Sequence, residues 1–456
     1  YTLEGVLQET KTIAAGTTPL LSGQTIDVEF SPVNMNASGS YHFKFFTSIT
    51  GDENMNNDTL TKTLVSMSNT IGSITGFAVD TCTALFTCGT AKVRVIFYKD
   101  DMFRIWLAPT GNFSNPAGNN IVVSYDFPLI SINWLDEGTY YKISTSELVL
   151  RAYKNPLKFA LYQSDNNTEI WAESNGLDFG TRTFQYLETD ENEYFYGGGM
   201  QNGYFSHKGT KIKISKETEN WDNGAVPNPV PFYMSTKGYG AFRNTFAPGG
   251  YDFRENDYTQ TAHQENRFDC FYFYGPSLKE ILNGYTELTG RPSLIPRWGL
   301  ELGDADCYNL NGQTTMDVVD LVADPYREND LPGGWILPND GYGCGYTDLP
   351  EVVSELHERG FWTGLWTENG VGQIAWEVGT AGTRACKLDV AWVGSGYLSA
   401  LNACKAAYEG IETNCNDRAF VWSVCGWAGT QRYSTVWSGD QSGNFEYIRF
   451  HIPTFI

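Results

Sequence analysis

Up to about residue 276, apolar and polar positions alternate in short runs. Ala91 to Tyr98 reads AKVRVIFY, and Met102 to Leu107, Leu148 to Ala152 and Lys211 to Ser215 share its period of two. Such runs, rich in β-branched and aromatic residues, predict antiparallel strands. Turn signals, Asn115-Pro116 and Gly249-Gly250 among them, separate the runs. No helical pattern intervenes, so the stretch is expected to form one or two β-sandwiches.

The pattern changes near residue 277. In Ser277 to Gly290 the apolar residues Leu278, Ile281, Leu282, Tyr285 and Leu288 recur at helical spacing. Gly290 should end this helix, and Pro292 lies beyond it. Strand and helix patterns then alternate. Strands are expected at Arg297 to Gly303, Gly334 to Pro338, Trp362 to Thr367, Cys386 to Trp392, Phe420 to Cys425 and Tyr433 to Trp437. Helices are expected at Thr315 to Ala323, Leu349 to Arg359, Val371 to Val378 and Tyr397 to Tyr408. Repeated βα units of about 30 residues imply a parallel sheet, most simply a (β/α)8 barrel.

Only six of the eight strands can be counted, and the final HIPTFI reads as the approach to a seventh. An incomplete barrel exposes sheet edges. The remaining strands are therefore expected from more of the same polypeptide or from a second chain. The domain division that follows is 1–276 for the sandwich region, 277–290 for a connecting helix and 291–456 for the barrel.

Composition narrows the function. The 456 residues include 31 Lys and Arg against 53 Asp and Glu, a net charge of −22. That balance disfavours nucleic acid and anionic membrane as partners. No apolar run approaches the ~20 residues of a membrane helix, and no signal-peptide pattern is present. Any leader is expected to have been removed already or never to have existed; four Asn-X-Ser/Thr sites, at Asn36, Asn57, Asn112 and Asn166, fit a secreted or extracellular protein. Aromatics reach 15%; most should be core, with a minority available to stack on sugars.

The nine cysteines leave at least one unpaired within the chain. Cys82 with Cys88, and Cys404 with Cys415, are candidate short disulfides, whereas Cys307, Cys344, Cys386 and Cys425 read as buried thiols. There is no CxxC or HExxH, and only five His, so neither a metal nor another cofactor is expected.

Barrel chemistry gathers at the C-terminal ends of the strands. The candidates there are Glu301, Asp304, Asp340, Glu368, Asp389 and Asp440, with Trp366, Trp392, Trp427 and Trp437 in or beside the same ends. Carboxylates ringed by indoles suit glycosidic bond cleavage, in which one carboxyl attacks or stabilises the anomeric carbon and another protonates the leaving oxygen. Helix capping or a structural cation is the alternative use of such acids.

Two motifs sharpen this reading. KLDVAW at 387–392 and WSGDQ at 437–441 resemble glycoside hydrolase family 31. So do YFYGGGMQNG at 194–203, RPSLIPRWG at 291–299, ILPNDGY at 336–342 and GWAGTQRY at 426–433. The last segments, with Asp440-Gln441, are most similar to the branch of α-glucosyl and isomaltosyl transferases that build cyclic tetrasaccharides. The resemblance runs from about residue 90 to the end, and residues 1–90 add no motif.

The resemblance implies a retaining enzyme acting on α-glucans or α-gluco-oligosaccharides. Asp389, ending the fourth strand, would be the nucleophile and Asp440, ending the sixth, the general acid and base, with their carboxyls about 5–5.5 Å apart. Arg432, eight residues before Asp440, and Asp340 would bind hydroxyls of the reacting sugar; Trp366, Trp392 and Trp437 would form pocket walls. Lys387 falls on the same strand face as Asp389, and Asp440 must hold a proton. A loop from the sandwich region would cover the pocket, and Trp221-Asp222-Asn223-Gly224 occupies that place. Asn223 stands where the related transferases have Asp, so Asp222 or Asn223 would make the contact. Transglycosylation is the leading expectation; the alternatives are a hydrolytic α-glucosidase and a catalytically idle sugar-binding or structural protein with the same fold.

Overall fold

The structure is a computed structural model. It describes every residue except 4, 14–24, 34–38, 50–57, 67–68, 216–219, 256–257, 311, 369, 390–395 and 456.

The antiparallel region is organised around an eight-stranded sheet. Its strands are β1 (Gly76–Asp80), β2 (Thr83–Cys88), β3 (Ala91–Lys99), β4 (Met102–Ala108), β5 (Phe195–Met200), β6 (Asn228–Ser235), β7 (Tyr239–Arg243) and β8 (Phe268–Tyr274). Their order across the sheet is β5-β6-β7-β8-β4-β3-β2-β1. The alternation in β3 has its physical outcome here. Ala91, Val93, Val95 and Phe97 are buried, while Lys92, Arg94 and Ile96 between them are half-exposed. Val93 pairs with Leu107 and Val95 with Ile105 on β4. A five-stranded antiparallel sheet, with Leu148–Lys154 and Leu157–Gln163 at its centre, buries Leu150, Phe159 and Leu161 in the same core. This is sheet packed on sheet. Two further antiparallel sheets, of six and four strands, belong to the same region.

Helix α1 (Leu278–Thr289) follows the expected boundaries. Ser277 and Glu280 form a reciprocal capping box, and Gly290, at φ 93°, ends the helix where a side chain would be strained. Ile281, Tyr285 and Leu288 face the sandwich core, with Tyr285 stacked on Phe232 at 4.0 Å.

A six-stranded parallel sheet comes next, a partial barrel: β9 (Gly303–Ala305), β10 (Trp335–Leu337), β11 (Trp362–Trp366), β12 (Ala385–Leu388), β13 (Phe420–Ser423) and β14 (Thr435–Val436), adjacent in chain order. Between and after them lie α2 (Asp324–Glu328), α3 (Leu349–Glu358), α4 (Ile374–Gly379), α5 (Tyr397–Asn414) and α6 (Phe445–Phe455). Alternation along β12 sends Cys386 and Leu388 to α5, where they pack with Ala403, Cys404 and Ala407. Lys387 is thereby turned to the barrel interior.

Several expectations are corrected. Residues 297–302 are not a strand: Arg297–Leu300 is a 3-10 turn after Pro296, with Trp298 stacked on Trp362. The sheet starts only at Gly303, where a Cβ would meet the Trp335 ring at 2.0 Å. Glu301 thus lies before β9, not at its C-terminal end. The expected helix at 315–323 is a 3-10 turn, Thr315–Asp317, followed by a wider π turn, Val319–Ala323, leading into α2. The helix expected at 397–408 continues to Asn414. Residues 451–455 of HIPTFI are helical and end α6, whose Phe445, Ile448, Ile452 and Phe455 repeat at helical spacing on an exposed side.

The cysteine assignment is corrected in part: Cys386 and Cys425 are buried thiols as expected, but the disulfide is elsewhere. Cys307 and Cys344 form a disulfide, while Cys82, Cys88, Cys404 and Cys415 are free thiols. Strand β2 separates Cys82 from Cys88 by about 20 Å, and α5 separates Cys404 from Cys415 by about 16 Å; a disulfide spans roughly 4.4–6.8 Å between Cα atoms. Among the described residues, no helix is long and apolar enough to cross a membrane.

Candidate active site

The strand ends of the partial barrel converge through side chains of different strands. Trp366 ends β11 and pairs with Lys387 of β12. Asp389 is two residues beyond Lys387, on the same face. This register lets the Trp366 indole donate to Asp389 Oδ2 at 2.8 Å. Trp366 is held in turn by Asn339, whose amide donates to its carbonyl at 3.0 Å and accepts from its N–H at 2.9 Å.

Lys387 Nζ donates to both oxygens of Asp340, at 3.0 and 2.9 Å. The Lys387 side chain is 8% exposed and that of Asp340 17%. A pair this enclosed needs close hydrogen bonding to offset lost hydration. The same ammonium lies 4.7 Å from the ring centre of Trp437. Trp437 follows β14, and its indole donates to Asp440 Oδ1 at 3.0 Å. Asp389, Trp366, Asp340, Lys387, Trp437 and Asp440 therefore form two indole–carboxylate pairs and one ion pair, with Leu337, Trp335, Phe420 and Trp422 packed beneath Trp366 and Trp437. Asp440 is exposed to solvent.

The 221–224 loop reaches the Asp440 segment. Trp221 packs on Gly439, where a Cβ would lie 2.4 Å from Trp221 Cβ. Gln441 Nε2 donates to the Trp221 carbonyl at 3.3 Å. Asp222 accepts from the Tyr447 hydroxyl of α6 at 2.9 Å. The Asn223 carboxamide lies against Gly203, where a Cβ would be 1.9 Å from its Oδ1.

Arg432 is not brought to this cluster. It lies just before β14, whereas Asp440 follows that strand, so the two stand at opposite ends of it. Its Nε donates to the Gly429 carbonyl at 2.9 Å and its Nη2 to the Asn120 carbonyl. The neighbouring Gln431 carbonyl accepts from Ser293, ahead of the first barrel strand. Trp392 lies outside the described residues. Trp427 is core, stacked on Tyr397 at 3.9 Å. Glu368 fastens a loop, accepting from the Gly343 N–H at 3.0 Å. Asp304 accepts from the Tyr308 hydroxyl at 3.1 Å, and burial raises its carboxyl above the usual range.

The Cys307–Cys344 bond joins the loop after β9 to the loop after β10, which carries Asp340. Tyr342 on the latter loop meets Trp366 edge-on at 4.8 Å. Sequence reasoning missed Asn339 as the clamp on Trp366. Its place beside Asp340 in the ILPND segment was the available signal.

Comparison with known proteins agrees with this layout. Residues 92–252 match the glycosyl hydrolase 31 N-terminal galactose mutarotase-like domain. Residues 396–456 match the glycosyl hydrolases family 31 TIM-barrel domain. Alpha-glucosidase 2 of Bacillus thermoamyloliquefaciens is 23% identical, over 81% of this chain and 58% of its own length. Isomaltosyltransferase of Sporosarcina globispora is 25% identical, over 63% of this chain and 29% of its own. The chain thus spans less than two thirds of either relative. The solved dextranase of Flavobacterium johnsoniae superposes with a TM-score of 0.73 at 18% identity, over 85% of this chain and 59% of its own. With a mutarotase-like sandwich leading into the strands of a partial barrel, the chain matches domains of glycosyl hydrolase family 31 over residues 92–252 and 396–456.

Proposed function

We propose that the protein cleaves α-glucosidic bonds with retention of configuration, Asp389 attacking the anomeric carbon and Asp440 protonating the leaving oxygen. The observation that carries this reading is the pairing of each carboxylate with an indole N–H at a strand end, with Lys387 and Asp340 between them. An indole donor fixes the direction of a carboxylate that must attack in line. In the first step the Asp389 oxygen bonds to the anomeric carbon, the glycosidic bond breaks, and its electron pair takes the Asp440 proton. In the second, Asp440 takes a proton from the incoming hydroxyl, and the Asp389 ester breaks. Asp340 and Lys387 bind sugar hydroxyls, while Trp366 and Trp437 form apolar walls.

Transfer to another sugar rather than to water is supported by the isomaltosyltransferase relative. Secretion is supported by the disulfide, which oxidising compartments favour. The open edge of β14 and the apolar side of α6 support further barrel strands covering them, from the same polypeptide or a second chain. The domain division at 276 and 291 is retained as part of this reading. A sugar-binding protein without turnover is a second reading, favoured by the position of Arg432 away from the cluster.

The test is Asp389→Ala. Turnover of maltooligosaccharides should vanish with the fold intact. Azide with an activated aryl glucoside should restore activity, giving a product of inverted configuration. Undiminished activity without azide would refute the assignment.

A further inference from the structure

We infer that Asn228, in the antiparallel region, is a positioning residue for the Asp440 loop of the barrel. The inference rests on the acid role proposed for Asp440. Asn228 begins β6 and is 3% exposed. Its Oδ1 accepts from the Gly426 N–H at 2.5 Å, and its Nδ2 donates to the Trp437 carbonyl at 2.9 Å. Gly426 follows β13 and Trp437 follows β14, so one amide joins the ends of two neighbouring barrel strands.

The chemistry of the amide is specific to this place. One partner is a donor and the other an acceptor; both are backbone groups, the Gly426 N–H buried and the Trp437 carbonyl partly so. A carboxamide satisfies both at once; a hydrocarbon would satisfy neither, and a carboxylate would face the Trp437 carbonyl with a second acceptor. The close approach also needs a residue without a side chain at 426. A Cβ on Gly426 would lie 2.7 Å from Val436 Cγ1 and 3.3 Å from Asn228 Oδ1.

From Trp437 the constraint passes onward. Its backbone is held by Asn228 and by its own N–H donating to the Ser423 carbonyl at 2.8 Å. Its indole, so directed, donates to Asp440. Asn228 touches neither carboxylate of the proposed pair and acts only through Trp437. Its loss should shift the aim of Asp440 while leaving Asp389, just beyond β12, in place.

Proton donation matters most where the leaving group is poor. Asn228→Ala should therefore lower disaccharide cleavage by roughly 10- to 100-fold, with phenol release from an aryl glucoside of an acidic phenol falling by less than about threefold. In a Trp437→Phe background, which already lacks the indole donor, the same change should add little to that difference. Equal losses on both substrates, or a full additional loss in the Trp437→Phe background, would overturn the inference. If Asn228→Ala does not fold, Asn228→Ser serves, since its hydroxyl can donate or accept a hydrogen bond where a methyl can do neither. A crystal structure of the variant gives a readout independent of turnover. Trp437 and Asp440 should be displaced, and unchanged positions overturn the inference whether or not sugar is cleaved. A native protein inactive on both substrates would instead count against the proposed function.

Discussion

The indole of Trp366 donates to the carboxylate of Asp389 across two neighbouring strands, at 2.8 Å. Trp366→Phe keeps an aromatic wall and removes only this donor. A hydrogen bond to a charged group contributes about 1.5–3 kcal/mol. Formation of the glycosyl intermediate should accordingly slow by roughly 10- to 100-fold, which single-turnover kinetics with an aryl glucoside will measure. An unchanged rate would mean that the indole does not orient the nucleophile.

Asp440→Asn tests the acid. An alkoxide leaves poorly without a proton, whereas an acidic phenol leaves readily. Disaccharide cleavage should fall by roughly 10²–10⁴-fold, the usual worth of a positioned acid, while the first phenol release changes much less. A burst of phenol followed by slow turnover is expected, because the same residue serves as base in the second step. Equal losses in the first step on both substrates would remove Asp440 from that role.

The Cys307–Cys344 bond closes a loop of 37 residues. Cross-linking a loop of that length is worth about 3–4 kcal/mol through the unfolded chain. Cys344→Ser should lower the unfolding temperature, and reductant should destabilise the native protein but not the variant. Because the bond fastens the loop that carries Asp340, the variant's KM should also rise. An unfolding temperature insensitive to both changes would show that the bond is not formed in solution.

Glu173 gives a pH dependence unrelated to sugar cleavage. It is 1% exposed and accepts from the Phe159 N–H at 2.8 Å and from Gln185 Nε2 at 2.7 Å. Burial outweighs these two bonds and pushes its carboxyl up to about 7, from an ordinary 4.5. The folded chain thus holds a proton that the unfolded chain releases. The associated stability is complete below pH 4.5 and is lost as pH rises through 7. The loss amounts to about 3 kcal/mol. Unfolding measured from pH 4.5 to 8 should show this decline, and Glu173→Gln should flatten it; an equally steep decline in the variant would place its source elsewhere.

Much of the fold was legible because periodicity is a local property. The alternation of β3 holds from Ala91 to Phe97, and Ile281, Tyr285 and Leu288 of the α1 stripe are buried, although Leu282 of that stripe is exposed. Helix α6 was missed because the pattern of HIPTFI was read without Phe445 and Ile448 upstream, which complete its helical side. Trp437 and Asp440 lie three residues apart, so a short motif carries their pairing. Lys387 and Asp340 are 47 residues apart, and their contact depends on how two strands align. Arg432 shows the limit of spacing as evidence: eight residues are close along the chain, yet β14 runs between Arg432 and Asp440 and parts them. The disulfide was hidden for a related reason. Cys307 and Cys344 meet because two loops share one rim, while a rigid strand or helix holds apart the pairs that looked near in sequence.

The bonds from Asn228 to Gly426 and Trp437 also order events in time. They join residues separated by 198 and 209 positions, and contacts of such span form late because a long loop must close first. At about 5–20 residues per second, a ribosome would take roughly 10–40 s to pass from one partner to the other. Strand β6 can therefore be seated in the sandwich before Trp437 has been synthesised. The acid's loop is then laid onto a surface already formed, and a delay in sandwich folding would be felt first there.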